Sequence, residues 1–169
     1  AAAGVGLLLI LSDDQQLRDF TFWSLGSLGG ATWSRLGAGA GLLLGGILAA
    51  PFLARPLNAL LLGEAEAVHL GVRVQRAKAV VVVIATVTAG SAVALTGIIG
   101  FVGLVAPHIL RLTAGPDHRL LVPGSALLGA ILLLVADLVA RTVASPAELP
   151  IGIVTALLGA PFFLWLLLR

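Results

Sequence analysis

The chain has 169 residues, of which 59% are hydrophobic and 11% charged, with a formal net charge of +2 and a mean hydropathy of +1.12. Soluble domains are about 25% charged, so this composition excludes a water-facing surface around the whole molecule and points to a lipid bilayer. The absence of cysteine excludes disulfides, thiolate metal sites and cysteine nucleophiles, and the basic residues are too dispersed for a nucleic-acid-binding stripe.

A membrane-crossing helix needs about 20 apolar residues. Residues 1–11 open inside a hydrophobic stretch, with no Met, basic n-region or small-residue cleavage site, and so do not read as a signal peptide. Too short to cross, they read as the end of a transmembrane helix in a piece of a longer chain. Residues 12–35 are polar. Ser12 and Gln15 have capping-box spacing, which predicts a short helix with Leu17, Phe20 and Trp23 on one face; Trp23 and Trp33 suit a membrane interface. Residues 36–54 carry no charge and form the next span. In 55–78, Pro56 takes a first helical position, and Gly63 and Gly71 divide the segment into two short amphipathic helices.

Residues 79–114 are interrupted only by His108 and Arg111. They are too long for one crossing, and the glycine-rich run from Gly97 to Gly103 divides them into spans 79–97 and 98–114. Residues 115–121 form a compact loop, 122–141 a span containing Asp137, 142–149 a second loop and 150–168 the last span. The predicted fold is all-α, a polytopic transmembrane helix bundle forming a single domain.

Basic residues concentrate in cytoplasmic loops. If the spans alternate, Arg55, Arg73, Arg76, Lys78, Arg111, Arg119 and Arg169 share one side, against Arg18, Arg35 and Arg141 on the other. This bias puts 55–78, 115–121 and the C-terminus in the cytoplasm, and 12–35 and 142–149 outside. Gly37, Gly41 and Gly45 stand four apart, with Gly39 and Gly46 beside them. Small residues let membrane helices approach closely, either inside one subunit or across a dimer face.

Few residues offer chemistry. His108 follows Pro107 with no second ligand at metal spacing, which leaves a structural role or a part in substrate or proton movement. Asp137 and Arg141, four apart on a helix, neutralise one another and make a membrane carboxylate tolerable; the turn that follows, from Pro146 to Pro150, suits Arg141 to docking. An intramembrane enzyme is the alternative from another class. It finds no G-x-S-x-G elbow, no serine near His108 in sequence and no second carboxylate within a span. No G-x-x-x-x-G-K-[ST] phosphate loop occurs either. No catalytic or metal-binding residue is assigned.

The run Gly100 to Arg111 (GFVGLVAPHILR) closely resembles the signature of the permease subunits of bacterial ATP-binding-cassette importers for iron siderophores, haem and vitamin B12, the FecCD-like family. So do Pro116–Arg119 (PDHR), Ala136–Arg141 (ADLVAR), Ala147–Gly152 (AELPIG) and Leu157–Pro161 (LLGAP). Asn58–Glu64 (NALLLGE) with Leu70 and Gly71 is similar to the family's cytoplasmic loop. The resemblance covers the whole chain and implies the second half of a bundle of roughly ten helices. It further implies a homodimer with two cytoplasmic ATPase subunits, which bind ATP and magnesium, and a periplasmic substrate-binding protein. By resemblance Asn58, Gly63, Glu64, Ala67, Leu70 and Gly71 couple to the ATPase, and Arg141 and Arg18 meet the binding protein. Residues 12–18 (SDDQQLR) and 22–27 (FWSLGS) look most like haem importers, while 150–155 (PIGIVT) is also similar to the vitamin B12 permease. Haem is the favoured substrate, with vitamin B12 and ferric siderophores as alternatives, and no substrate-binding residue is identified. The resemblance implies a multi-pass protein of the bacterial inner membrane.

Overall fold

The computed structural model describes residues 2–143 and 149–168. Among these residues eight helices follow one another: α1 (Ala2–Ile10), α2 (Asp14–Leu25), α3 (Trp33–Leu60), α4 (Glu64–His69), α5 (Val74–Thr96), α6 (Val102–Ala114), α7 (His118–Val143) and α8 (Ile151–Leu167). The fold is an all-α bundle. Among the described residues three helices, α3, α5 and α7, are long and apolar enough to cross a membrane. Helix α3 packs along α5 and α7, α7 also packs on α6 and α8, and α2 touches α8.

The small-residue pattern explains the closest approach. Gly39 and Gly46 are the glycines of α3 that face α5, where an added Cβ would run into Leu95 and Thr88. Gly37, Gly41 and Gly45 have open space around them, so the expected glycine face is not the one that packs within this chain. Buried core residues are correspondingly small: Ala54, Ala67, Ala106, Ala136 and Ala140 join Val74, Leu121, Ile151 and Val154. Many large apolar side chains point outward, Leu48 and Leu134 among them.

Several helix ends differ from the sequence expectation. Ser12 does not cap α2. Its hydroxyl donates to the Leu8 carbonyl at 2.7 Å and is thereby engaged with α1. Asp13 caps instead, accepting from the Asp14 N–H at 2.8 Å, while Gln16 Oε1 reaches back to the Asp13 N–H. Pro56 does not begin a helix. Helix α3 runs through Pro51 and Pro56 to Leu60, as membrane helices can when neighbouring helices compensate the lost backbone bonds. Residues 55–78 therefore hold the end of α3, the single short helix α4 and the start of α5, rather than two short helices.

The glycine-rich break lies at residues 97–101. Gly97 ends α5 with φ +74°, and the Ser27 N–H donates to the Thr96 carbonyl at 2.8 Å. Phe101, at φ +67°, precedes α6. Helix α6 then has only 13 residues, about 20 Å, shorter than a hydrocarbon core of about 30 Å. The expected loop 115–121 shrinks to Gly115–Asp117, because Asp117 Oδ1 accepts the Arg119 N–H at 2.9 Å and starts α7 at His118. Most of the loop expected at 142–149, with Glu148 in its turn, lies outside the described residues, as does Arg169.

Near the Gly97 break three elements are tied through backbone. The Ile151 N–H at the start of α8 donates to the Gly26 carbonyl at 3.1 Å, beside the Ser27–Thr96 bond. A Cβ at Gly26, where φ is +73°, would lie 2.6 Å from the Ile98 carbonyl oxygen. Only glycine combines that φ with that approach.

Candidate functional site

The segment between α3 and α5 forms a platform built on one buried alanine. Gly63 (φ +104°) turns the chain into α4, and Gly71 (φ +81°) turns it out again. Ala67 is fully buried, with a relative exposure of 0%, and Val74 is nearly so. These two seat α4 on the bundle. Around them the apolar side chains of Leu61, Leu62, Val68 and Leu70 are all more than half exposed. Glu64 is exposed as well and pairs with Lys78 Nζ on α5 at 2.5 Å. Of the coupling residues expected from sequence, Gly63, Glu64, Leu70 and Gly71 thus lie on or border the exposed surface of this platform, and Ala67 lies beneath it.

Asn58 stands apart from them. It lies in the last turn of α3, and its Nδ2 donates to Asp117 Oδ1 at 2.6 Å. Its Oδ1 accepts the His118 backbone N–H at 2.8 Å and lies 2.8 Å from His118 Nδ1. Hydrogen bonds from the Arg119 N–H and the Asn58 amide hold the Asp117 carboxyl below its ordinary pKa, because they favour the charged form. Sequence reading missed Asp117 and His118 as partners of this site. The available signal was local: an Asp placed just before an apolar helical run is an N-cap pattern.

On α7, Arg141 Nε donates to Asp137 Oδ2 at 2.8 Å, as the four-residue spacing predicts. The Asp137 side chain is 20% exposed, whereas that of Arg141 is 59% exposed. Arg141 thus offers a charged edge to solvent while neutralising a half-buried carboxylate. The Arg18 side chain is exposed on α2 and has no hydrogen bond or ion pair among the described residues. The two arginines share no partner.

His108 packs its ring edge-on against Phe162 of α8, with centroids 6.0 Å apart. Its Nε2 is buried without a hydrogen-bond partner among the described residues. Among those residues, no three of His, Asp and Glu come together in a way that could hold a metal ion.

A family model described as the FecCD transport family matches residues 1–169. The chain is 53% identical over 167 residues to the hemin transport system permease protein HmuU of Yersinia pestis, an alignment covering 99% of this chain and 50% of that protein. It is 43% identical over 164 residues to the vitamin B12 import system permease protein BtuC of Vibrio cholerae, covering 94% of this chain and 47% of that protein. A solved structure, described as an inward-facing ABC transporter of metal-chelate type, matches with a TM-score of 0.89 at 37% identity. That match covers 96% of this chain and 53% of the other. The chain spans about half the length of the curated relatives it matches. It belongs to the FecCD transport family.

Proposed function

We propose that this chain is the second half of the permease subunit of an ATP-binding-cassette importer that moves haem from periplasm to cytoplasm. The observation that carries the reading is the α4 platform: Leu62, Val68 and Leu70 stand exposed on a short, charged segment between two long apolar helices. An exposed apolar patch outside the lipid-facing spans marks a protein-binding surface. In this reading its partner is a cytoplasmic ATPase subunit, which binds ATP and magnesium and supplies the chemistry. Two ATPases act on a homodimer of the permease, and a periplasmic binding protein delivers substrate near Arg141 and Arg18. The protein is multi-pass in a bacterial inner membrane, with 55–78 and the C-terminus cytoplasmic.

The substrate assignment rests on the relative named as a hemin permease, at 53% identity, against 43% for one named as a vitamin B12 permease. The test is uptake by proteoliposomes holding the full-length permease, its ATPase and its binding protein. ATP-dependent accumulation of haem, with no competition from vitamin B12 or a ferric siderophore, is the expected result. Accumulation of either competitor in its place would reassign the substrate within the same family.

A further inference from the structure

Asn58 and Asp117 are 59 residues apart in sequence and 2.6 Å apart in space. The Asn58 amide is used at both ends. It donates to a carboxylate and accepts from the N–H that opens α7. Asp117 already caps α7 through the Arg119 N–H, so the helix does not need Asn58 for its own start. What the amide adds is a tie between two elements: the last turn of α3, which leads into α4, and the Gly115–Asp117 turn between α6 and α7. One member of that tie is charge-assisted, hence shorter and stronger than a neutral hydrogen bond.

We propose that Asn58 is a positioning residue that fastens the α6–α7 turn to the end of α3, which carries the α4 platform, so that turn and platform move as one body when the ATPase acts. This rests on the coupling role proposed for α4. Its consequence is that displacement of the platform reaches α7 through the last turn of α3, as well as passing to α3 and α5 themselves. Helix α7 is continuous from His118 to Val143, about 39 Å, and carries the Asp137–Arg141 pair near its far end. One helix thereby links the ATPase side to the proposed docking residue.

The experiment places spin labels on cysteines introduced at Glu66 and Pro116, both exposed, in the full-length permease assembled with its ATPase in nanodiscs. The Glu66–Pro116 separation should be the same in nucleotide-free and ATP-bound states. Asn58→Asp sets two carboxylates face to face, and should broaden that separation and lower transport per ATP. The swap of Asn58→Asp with Asp117→Asn exchanges donor and acceptor, and should restore both. A separation that changes with nucleotide in the protein with Asn58 intact overturns the proposal, and this measurement decides the matter even if Asn58→Asp fails to assemble. A swap that recovers thermal stability but not transport per ATP overturns it too, since a merely structural bond would behave that way. Failure of the coupling role shows elsewhere, as unchanged ATPase coupling after charge reversal on α4.

Discussion

Gly46 of α3 faces Thr88 of α5 with no room for a side chain, since a Cβ built at Gly46 would lie 2.9 Å from both Cβ and Cγ2 of Thr88 and closer still to its hydroxyl. Thr88 cannot easily turn away, because its Oγ1 donates to the Ile84 carbonyl at 2.7 Å. Gly46→Ala should therefore push the helices apart and cost about 1–3 kcal/mol, the range for overpacking. Combining it with Thr88→Ala should recover part of the loss. Thermal unfolding in detergent reads both, and an unchanged Tm for Gly46→Ala would contradict the close approach.

The Asp137–Arg141 pair separates a structural from a docking role for Arg141. The pair joins an exposed Arg141 to an Asp137 side chain only 20% exposed, and removing one partner leaves that carboxylate unpaired, so Arg141→Gln should lower stability by more than the about 0–1 kcal/mol of a surface pair. Arg141→Glu should weaken binding-protein association, more so at low ionic strength, and spare assembly with the ATPase. Binding-protein association unaltered by Arg141→Glu would show that Arg141 serves only its neighbour.

The side of the membrane occupied by α2 is open to direct labelling. Asp13 is a poor site for a cysteine because it caps the helix, whereas the Asp19 side chain is exposed and has no hydrogen bond among the described residues. A cysteine at Asp19 should react with an impermeant thiol reagent added from the periplasmic side. Reaction only from the cytoplasmic side would invert the proposed topology.

Acid should loosen the tie at Asp117. Its carboxyl pKa is lowered in the folded chain by the Arg119 N–H and the Asn58 amide. A depressed folded pKa adds stability above the unfolded value, and that stability is lost as pH falls through the folded one. Wild type should therefore lose stability relative to Asp117→Asn on acidification below the ordinary carboxylate range, and hold a constant difference at neutral pH. Parallel stability curves for the two proteins through the acid range would contradict the assignment.

The helical class, the polar and apolar segments and the break after Thr96 were legible because each is written locally, in hydropathy, charge and glycine. Helix ends were less so. Ser12 and Asp13 both suit an N-cap, and the choice between them depended on α1 taking the Ser12 hydroxyl. Pro56 reads as a helix start, yet its position inside α3 depends on packing against other helices, which a local pattern does not contain. Choosing Gly39 and Gly46 over Gly37, Gly41 and Gly45 needs the rotation of α3 relative to α5. Asn58 stood out in sequence only through the family resemblance, and its partners Asp117 and His118 became visible once the chain was folded.

The coupling role of the α4 platform is tested most directly by charge reversal on its exposed edge. Glu64→Arg with Leu70→Asp alters two exposed side chains and leaves the buried Ala67 seat untouched. In reconstituted vesicles holding the full-length permease, its ATPase and its binding protein, the double variant should insert normally yet lose substrate-stimulated ATP hydrolysis and uptake. Stimulated hydrolysis and uptake at the unmodified level would contradict the account.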